Sequence, residues 1–276
     1  MEARIALVYS LVDPVGRGVA ARLVERLECG PPRSIDERLV ELRECKGTVL
    51  AGFSDDIIYL DYVDNYLGGW DAYIFLSRHS SASGRPTLSI HHTGNPCNEA
   101  RYGGRPRSLA IAFPRLAKLL LMKYREAAES QGLLDEYQLT LEATHHGPTE
   151  PGKPLVFIEI GSREEQWRDE RALDAMASAV EAALESSLPR CRPVIGVGGT
   201  HYPERHTRLM LEGDVCYGHI FAKYTADCID EEMLRMAVER SADRIEGFIV
   251  LKTRSRVKNL VRRIAEAMGL WVENLR

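Results

Sequence analysis

The histidines are the residues of this sequence best suited to chemistry, because most of them stand beside Ser, Thr or Gly where apolar segments end. In an open α/β sheet, ligands bind outside the carboxyl ends of the strands, so histidines at those ends would converge on one site. Converging imidazoles can hold a metal ion, transfer protons, or do both. The histidines in such positions are His79, His91, His92, His145, His146, His201 and His219.

Each histidine also has a simpler interpretation, as a structural residue that satisfies a neighbouring hydrogen bond. In an extended chain the members of His91-His92 point to opposite faces, so at most one of them would face a common site. The spacings H-E-x-x-H and H-x-H are absent. Metal binding is therefore a hypothesis based on the shared position of the histidines at strand ends.

Glu159 is the second candidate, since it interrupts an otherwise apolar segment over residues 155–160. A carboxylate near the end of a buried strand is unfavourable unless it is paired or has a function. One interpretation makes it a general base or a metal ligand, and the other buries it against an arginine such as Arg78. The following residues predict a helix with Ser162 as N-cap and Glu165 in a capping box, whose free N–H groups would favour an anion.

Two short segments could contact a phosphate. Gly198 and Gly199 follow an apolar segment, and glycines there would let backbone N–H groups approach an oxyanion, although a plain tight turn is the simpler explanation. The segment lacks the Lys-Ser/Thr of a P-loop. Ser80 and Ser81 lie beside Arg78, and without a G-x-S-x-G motif their hydroxyls fit phosphate or ribose binding better than nucleophilic catalysis.

The charge distribution is uneven although the net charge is −4. Residues 72–125 contain nine bases and one acid, Glu99, and a second tract over residues 247–265 has no acid. Two basic tracts on an acidic chain could form one face for a polyanion, or they could be solvated loop and helix surfaces. The basic residues predicted to contact a nucleic acid are Arg101, Arg105, Arg107, Arg254, Arg256 and Lys258.

The elements that must position these residues alternate between strands and helices, which predicts an α/β domain with a largely parallel sheet. The strand-rich region at about 35–110 interrupts the alternation, so a single domain over 1–276 with a small α+β insert there is expected. Strands are predicted at 5–10, 39–42, 48–51, 57–62, 72–76, 87–91, 137–143, 154–160, 193–197 and 248–251. Helices are predicted at 15–28, 114–130, 230–241 and 256–268, with another beginning at Ser162.

Length and composition exclude several classes of protein. The 276 residues, 45% hydrophobic and 28% charged, are ordinary for a folded protein, and no apolar run approaches the roughly 18 residues that span a bilayer. The N-terminus resembles neither a signal nor a transit peptide. The six cysteines form no C-x-x-C pair, so we expect no disulfide framework and no zinc ribbon, and a reducing cytosol is the default.

Several segments resemble the D-aminoacyl-tRNA deacylases of the archaeal and plant type. The resemblance follows nearly the whole chain in order, and A-T-H-H-G-P-T-E over residues 143–150 is its most specific element. The other matching segments are S-R-H-S-S at 77–81, H-x-T-G-N at 91–95, Y-G-G at 102–104, F-I-E-I-G-S at 157–162, G-G-x-H-Y at 198–202, G-D at 213–214, G-H-I at 218–220 and K-Y at 223–224.

The resemblance implies a cytoplasmic, monomeric enzyme that hydrolyses the ester between a D-amino acid and the 3′ end of tRNA, with broad side-chain tolerance. It implies zinc dependence and a phosphorylase/hydrolase-like α/β fold, a mixed, mostly parallel sheet flanked by helices, with kinship to peptidyl-tRNA hydrolases. No membrane and no obligate protein partner are expected. Pro96, His92 and His206 depart from the family pattern, and the two histidines are therefore left out of the predicted site.

The predicted site combines these considerations. Glu159, His79 and His146 are expected to be catalytic, and His91, His145 and His201 to hold zinc, whose number of ions stays open. The expected substrate-binding residues are Arg78, Ser80, Ser81, Thr93, Asn95, Gly198, Gly199 and the six basic residues named above. Two other functions stay open: another metal-assisted hydrolase, such as a peptidase or peptidyl-tRNA hydrolase, and a non-catalytic RNA-binding protein.

Overall fold

A seven-stranded, mostly parallel sheet forms the centre of the structure, a computed structural model that describes residues 3–275. Two pairs of neighbouring strands are antiparallel, one at an edge of the sheet and one in its interior, and the other pairs are parallel. From edge to edge the strands are β2 (Leu39–Cys45), β3 (Thr48–Phe53), β1 (Ile5–Ser10), β4 (Ala72–Ser80), β9 (Leu155–Ser162), β5 (Thr87–His91) and β8 (Gln138–Leu141).

A second sheet of four parallel strands is formed by the C-terminal part of the chain. Its order is β11 (Val215–Phe221), β10 (Arg192–Val197), β12 (Gly247–Val250) and β13 (Trp271–Asn274). Two short strands, β6 (Gly94–Asn95) and β7 (Ser108–Leu109), pair only with each other. The helices are α1 (Pro14–Arg26), α2 (Asp64–Leu67), α3 (Pro114–Ser130), α4 (Glu164–Trp167), α5 (Glu170–Leu184), α6 (Glu204–Glu212), α7 (Glu231–Glu239) and α8 (Ser255–Met268).

The core lies on both faces of the larger sheet. Alternating side chains of β1 point to opposite faces: Leu7 packs with α1, α3 and α5, and Val8 packs with Phe75 and Phe157 on the other face. A third apolar cluster joins the second sheet to α7 and α8. Each fully buried Leu or Phe contributes about 1.5–3 kcal/mol, so these layers fix the strand ends that carry the polar residues.

The predicted α/β architecture is confirmed, and two local predictions are wrong. Residues 57–62 contain a 3-10 turn at Ile57–Tyr59 instead of a strand; a short apolar run fits both structures. Ser162 does not cap a helix, because β9 continues through it, and its hydroxyl donates to the carbonyl of Arg85 at 2.6 Å. The N-cap of α5 is Asp169, whose carboxylate accepts from the backbone N–H of Arg171.

The cysteines are paired, so the prediction of no disulfide framework is wrong. The three bonds join Cys29 to Cys45, Cys97 to Cys228 and Cys191 to Cys216, and the described residues contain no free cysteine. The partners are 16, 131 and 25 residues apart. Such pairings depend on which segments the fold brings together, which spacing along the chain does not show. The cysteines therefore give no support to a reducing compartment.

Most of the strands at 35–110 are part of the larger sheet. β3, β4 and β5 pair with β1, β8 and β9, and β2 pairs with β3, whereas β6 and β7 lie outside this sheet. A separate insert in this region stays a prediction. Within residues 3–275, no helix has both the length and the apolar character that crossing a membrane requires.

Candidate active site

Three strands of the larger sheet direct polar side chains to one place. In the β4–β9–β5 pairing, Glu159 lies between Ser77 and Ser89. His79 and His91 follow these serines by two residues, so both imidazoles share the sheet face of Glu159. Gly161 opposite His79 is required, since a Cβ there would lie 2.8 Å from an imidazole carbon.

Two loops complete the cluster. The segment after β8 contributes Glu142, His145 and His146, and the loop after β10 contributes His201. The backbone holds these loops together, because Ala143 N–H donates to the His201 carbonyl at 2.8 Å and Gly94 N–H donates to the His146 carbonyl at 2.8 Å. His146 has a φ of +42°, a left-handed conformation that turns the chain after the paired histidines.

The carboxylates lie within a few ångströms of four imidazole nitrogens. Oε2 of Glu142 is 2.9 Å from His201 Nε2, 3.3 Å from His79 Nδ1 and 3.5 Å from His145 Nε2. Oε2 of Glu159 is 3.4 Å from His79 Nδ1 and 3.4 Å from His91 Nε2. In tetrahedral zinc coordination with bonds of about 2.1 Å, ligand atoms are about 3.4 Å apart. The observed separations therefore match those of ligands around one small cation.

Hydrogen bonds show where the imidazole protons are. His145 Nδ1 is 2.9 Å from the Ala143 carbonyl oxygen and His146 Nδ1 is 2.6 Å from that of Gly147, so both Nδ1 atoms carry the proton and donate it. In neutral His145 this leaves an Nε2 lone pair facing the Glu142 carboxylate. Two electron-rich atoms in that position are stabilised by a cation or a proton between them. A histidine that donates its other N–H to a backbone carbonyl is also the usual arrangement of a metal ligand.

Buried polar atoms without hydrogen bonds concentrate at the same place. They include both carboxylate oxygens of Glu142, Oε2 of Glu159, Nε2 of His91 and the hydroxyl of Ser89. Unsatisfied buried groups are costly, and their clustering indicates that a ligand or ion completes the site. Three overlapping groups of these residues have donor atoms within 4.8 Å of one another and could hold a metal ion.

The environment of the cluster shifts the pKa values of its residues in different directions. Burial alone would raise the pKa of Glu142, but the charge of His79 and the close Nε2 atom of His201 hold it below its ordinary value. Burial would likewise lower the pKa of His79, yet the carboxylates of Glu142 and Glu159 raise it to about 10. Burial and the charge of His91 lower the pKa of His146 to about 4. His146 is thus a neutral imidazole at pH 7.

An open cleft of about 470 Å³ leads to the cluster. Glu159 lines it together with four of the histidines, whereas Glu142 lies behind them and is 2% exposed. Arg78, Ser80 and Ser81 line its wall, and the 66% exposed ring of Tyr102 lies at its mouth. The volume suits a small-molecule-sized group attached to a larger substrate.

Comparison with known proteins identifies the family. A family model described as D-aminoacyl-tRNA deacylase matches residues 68–273. A D-aminoacyl-tRNA deacylase of Hyperthermus butylicus is 46% identical over 276 residues, which are 98% of this chain and 99% of the relative. This chain belongs to the D-aminoacyl-tRNA deacylase family.

Further relatives agree with the assignment to the deacylase family. A D-aminoacyl-tRNA deacylase of Desulfurococcus amylolyticus is 45% identical over 256 residues, 91% of this chain and 92% of the relative. A crystal structure of a conserved protein of unknown function has a TM-score of 0.91 and 33% sequence identity, with 99% of this chain and 96% of that chain covered.

The predicted catalytic and metal residues lie together in this deacylase-family chain. Glu159, the histidines at 79, 91, 145, 146 and 201, and the wall residues Arg78, Ser80 and Ser81 meet at the cleft. Thr93 and Asn95 do not line it: the Thr93 hydroxyl donates to the Pro148 carbonyl, and the Asn95 amide donates to the carbonyls of Gly103 and Arg105. These two residues hold the loops around the cleft.

The predicted basic face is partly neutralised by carboxylates. Arg101 pairs with Glu99 at 2.9 Å, Arg105 with Glu150 at 2.9 Å, and Arg107 with Asp230 and Glu232. Arg256 donates to the Ala226 carbonyl, and Lys258 lies on α8. None of these five basic residues lines the cleft at the cluster. Gly199 and Arg254 line a second cleft, with Gly198 directly beside it.

Four residues of the site have no role in the prediction from sequence: Glu142, Asp13, Tyr202 and Tyr224. The Tyr202 hydroxyl is 2.8 Å from His79 Nε2, and the Tyr224 hydroxyl is 3.2 Å from His201 Nδ1. Glu142 directly follows an apolar strand, much as Glu159 interrupts one, which is a usable signal. Asp13 lines the cleft and caps α1, and burial raises its pKa to about 6.

The remaining histidines are structural. His92 Nε2 accepts from the Phe113 N–H, and its Nδ1 is 3.1 Å from the Gly218 carbonyl. His206 is 2.9 Å from the Tyr217 hydroxyl, and His219 lies between the Thr144 hydroxyl and the Ala110 carbonyl. The prediction from the sequence left His92 and His206 out of the site, and this geometry agrees with that. His219, one of the strand-end candidates, lies outside the cleft as well.

Proposed function

We propose that this chain hydrolyses the ester that joins a D-amino acid to the 3′ end of tRNA and releases the free amino acid. Membership of the D-aminoacyl-tRNA deacylase family supports the substrate. The observation that carries the chemistry is the buried histidine–carboxylate cluster at the end of an open cleft. We further propose that the protein acts in the cytoplasm as a monomer.

Zinc is the ion we propose for the cluster, because imidazole and carboxylate are suitable ligands and the unsatisfied atoms fit a cation. His79, His145, His201 and Glu142 would form one ligand group, and His91 and Glu159 belong to an overlapping one. A zinc ion held there would supply Lewis-acid polarisation of the ester and of a water molecule. The protein's contribution is the orientation of the imidazoles: the Ala143 carbonyl orients His145, and the hydroxyls of Tyr202 and Tyr224 orient His79 and His201.

The residues that face the cleft would perform the proton transfers. Glu159 is ionised, lines the cleft and can accept a proton from the attacking water. His146 is neutral, and its Nδ1–H donates a hydrogen bond to the Gly147 carbonyl, which leaves Nε2 as an acceptor. Arg78 also lines the cleft and is held by Asp56 at 3.1 Å, so its charge can orient an anionic or carbonyl group of the substrate.

Selection for the D-enantiomer would be steric, since the cleft walls are fixed by strands and by short loops. Arg78, Tyr102 and Ile58 line the same cleft as Glu159 and would limit where a substrate side chain can lie. A wall of this kind excludes one enantiomer without making contacts that depend on the amino acid, which agrees with broad side-chain tolerance.

Matched D- and L-tyrosyl-tRNA, assayed with and without a chelator, test the proposal. We expect rapid release of D-tyrosine only, loss of activity with the chelator and its return with zinc. Equal rates on the two enantiomers would reject the chirality-selective function. An N-acetylated D-tyrosyl-tRNA and a peptide in the same assay would reveal a peptidyl-tRNA hydrolase or peptidase instead, and binding without turnover would reveal an RNA-binding protein.

A further inference from the structure

A second cleft of about 720 Å³ lies at the carboxyl ends of the strands of the smaller sheet. Gly199 and Thr200 follow β10, Lys223 follows β11, and residues 251–254 follow β12. The catalytic role described above uses none of these side chains.

The strand order makes this position a ligand site by topology. β10 lies between β11 and β12, and all three strands are parallel. The chain leaves β10 through α6 to reach β11 on one side and returns through α7 to reach β12 on the other. It leaves β12 through α8 to reach β13, on the side away from β11, so the connections after β10 and β12 run in opposite directions. Ligands bind in the crevice at such a point, outside the carboxyl ends of the parallel strands.

The glycines bring the two loops together. Gly198 and Gly199 have φ values of +95° and +91°, which other residues rarely adopt. A Cβ on Gly198 would lie 3.2 Å from the backbone carbonyl carbon of Leu251. The backbone of the β10 loop thus approaches the β12 loop and borders the cleft without side chains in between.

The charge of the cleft is positive. Arg205, Lys223, Lys252 and Arg254 line it, and within residues 3–275 no acidic side chain does. Asp227 outside the cleft pairs with Arg254, and Thr200 donates to the Tyr202 carbonyl. Lys223 and Lys252 are both exposed, and ammonium groups on exposed walls favour phosphate groups.

The cleft adjoins the histidine–carboxylate cluster. Thr200 directly precedes His201, and Lys223 directly precedes Tyr224, whose hydroxyl is 3.2 Å from His201 Nδ1. Lys223 N–H also donates to the Gly199 carbonyl at 2.9 Å, which joins the two walls. An RNA strand that ends with its ester at the cluster must place its preceding phosphates a few ångströms away.

We infer that this second cleft binds the phosphodiester groups of the unpaired 3′ strand of tRNA. The inference rests on the proposed function for the position of the ester. Lys223 and Lys252 would contact the phosphates, and the glycine loop would let backbone groups approach them. The cleft would then position the strand so that the terminal ester enters the cluster.

The test compares a Lys223→Ala, Lys252→Ala double variant with the unaltered protein on two esters, D-tyrosyl-tRNA and D-tyrosyl-adenosine, which has no phosphate. We expect the variant's KM for the tRNA to rise about 10-fold or more with kcat nearly unchanged, and its KM for the nucleoside ester to stay the same. The salt slope of tRNA binding should fall by roughly 1.4, about 0.7 for each lost single-strand phosphate contact. Lys46→Ala, in the exposed β2–β3 turn at the opposite edge of the larger sheet, is the matched control.

Binding of uncharged tRNA, whole or shortened by its unpaired 3′ nucleotides, separates this inference from the proposed function. The shortening should weaken binding to the unaltered protein and have little effect on the double variant. Equal loss in both proteins would overturn the inference, as would an equal rise of KM on both esters or AMP binding as tight as that of tRNA. If neither ester is hydrolysed, the proposed function fails, while the binding comparison still decides the role of the cleft.

Discussion

The Oε2 atom of Glu142 lies 2.9 Å from Nε2 of His201, although the two residues come from loops after strands of different sheets. The backbone repeats the connection, because Ala143 N–H donates to the His201 carbonyl. Glu142 therefore connects His201, which follows a strand of the smaller sheet, to the cluster on the larger sheet.

Glu142→Gln should lower metal affinity by about 10–100-fold, because a neutral amide cannot balance the charge of a cation among three imidazoles. Metal content after dialysis, measured by elemental analysis, and activity at increasing zinc would show the change. Glu164→Gln, on an exposed carboxylate of α4, is the control. Full metal retention in the Glu142→Gln variant would show that the carboxylate only orients the histidines.

Glu159→Gln should reduce kcat by about 10²–10⁴-fold while KM for tRNA stays near that of the unaltered protein. The amide keeps the shape of the side chain but cannot accept a proton from water, an effect worth roughly 3–5 kcal/mol of barrier. Single-turnover deacylation and the melting temperature of the same variant separate the roles. A large fall in melting temperature with near-normal turnover would assign Glu159 a structural role.

His206 should make the protein less stable in acid. Burial lowers its folded-state pKa to about 3, whereas the unfolded chain titrates near 6.5. Between these values only the unfolded chain binds the proton, so stability is complete above pH 6.5 and falls as the pH decreases toward 3. At pH 5 the loss from this one residue is about 2 kcal/mol relative to pH 7.5.

His206→Asn tests this, since the amide can still bond the Tyr217 hydroxyl but does not titrate. The fall in unfolding free energy between pH 7.5 and pH 5 should be smaller in the variant by about that amount. His92 and His219, whose pKa values burial lowers to about 3 and about 4, retain their share of the pH dependence. Identical pH dependence in both proteins would contradict the expectation.

The bond between Cys97 and Cys228 should stabilise the protein more than the bond between Cys29 and Cys45. Closing a loop reduces the entropy of the unfolded chain and so raises the free energy of unfolding. The effect is about 5 kcal/mol for the separation of 131 residues and about 3 kcal/mol for the separation of 16 residues. We expect the Cys97→Ser, Cys228→Ser double variant to unfold at lower denaturant concentration than Cys29→Ser, Cys45→Ser. The reverse order would indicate that residual structure in the unfolded state dominates.

The sequence predicts local features of this protein well. Hydrophobic patterning locates β5 and α3 at the bounds found in the structure, and Gly269 ends α8 in a left-handed conformation. The strand-end position of the histidines is enough to predict that they converge. This works because backbone alternation and strand direction depend on neighbouring residues.

Contacts between residues far apart in the sequence cannot be predicted from such local patterns. Arg107 has the local sequence context of a nucleic-acid contact, yet Asp230 and Glu232 on a distant segment neutralise it. Cys97 likewise finds its partner 131 residues later. Glu142 and Glu159 share the same local feature, a carboxylate beside an apolar strand. Only the arrangement of the loops shows that Glu142 contacts three histidines. Such partners depend on tertiary contacts, which single-sequence patterns do not encode.

The dispersal of the cluster over β4, β5, β9 and the loop after β10 has a consequence for synthesis. A chain emerging from the ribosome cannot complete the histidine–carboxylate cluster until His201 and Tyr224 have left the exit tunnel and the second sheet has formed against the first. Contacts of such high sequence separation form late in folding. With this cluster as the proposed hydrolytic centre, we expect nascent and truncated chains to be inert toward the charged tRNAs that surround them during translation, and activity to coincide with completion of the fold.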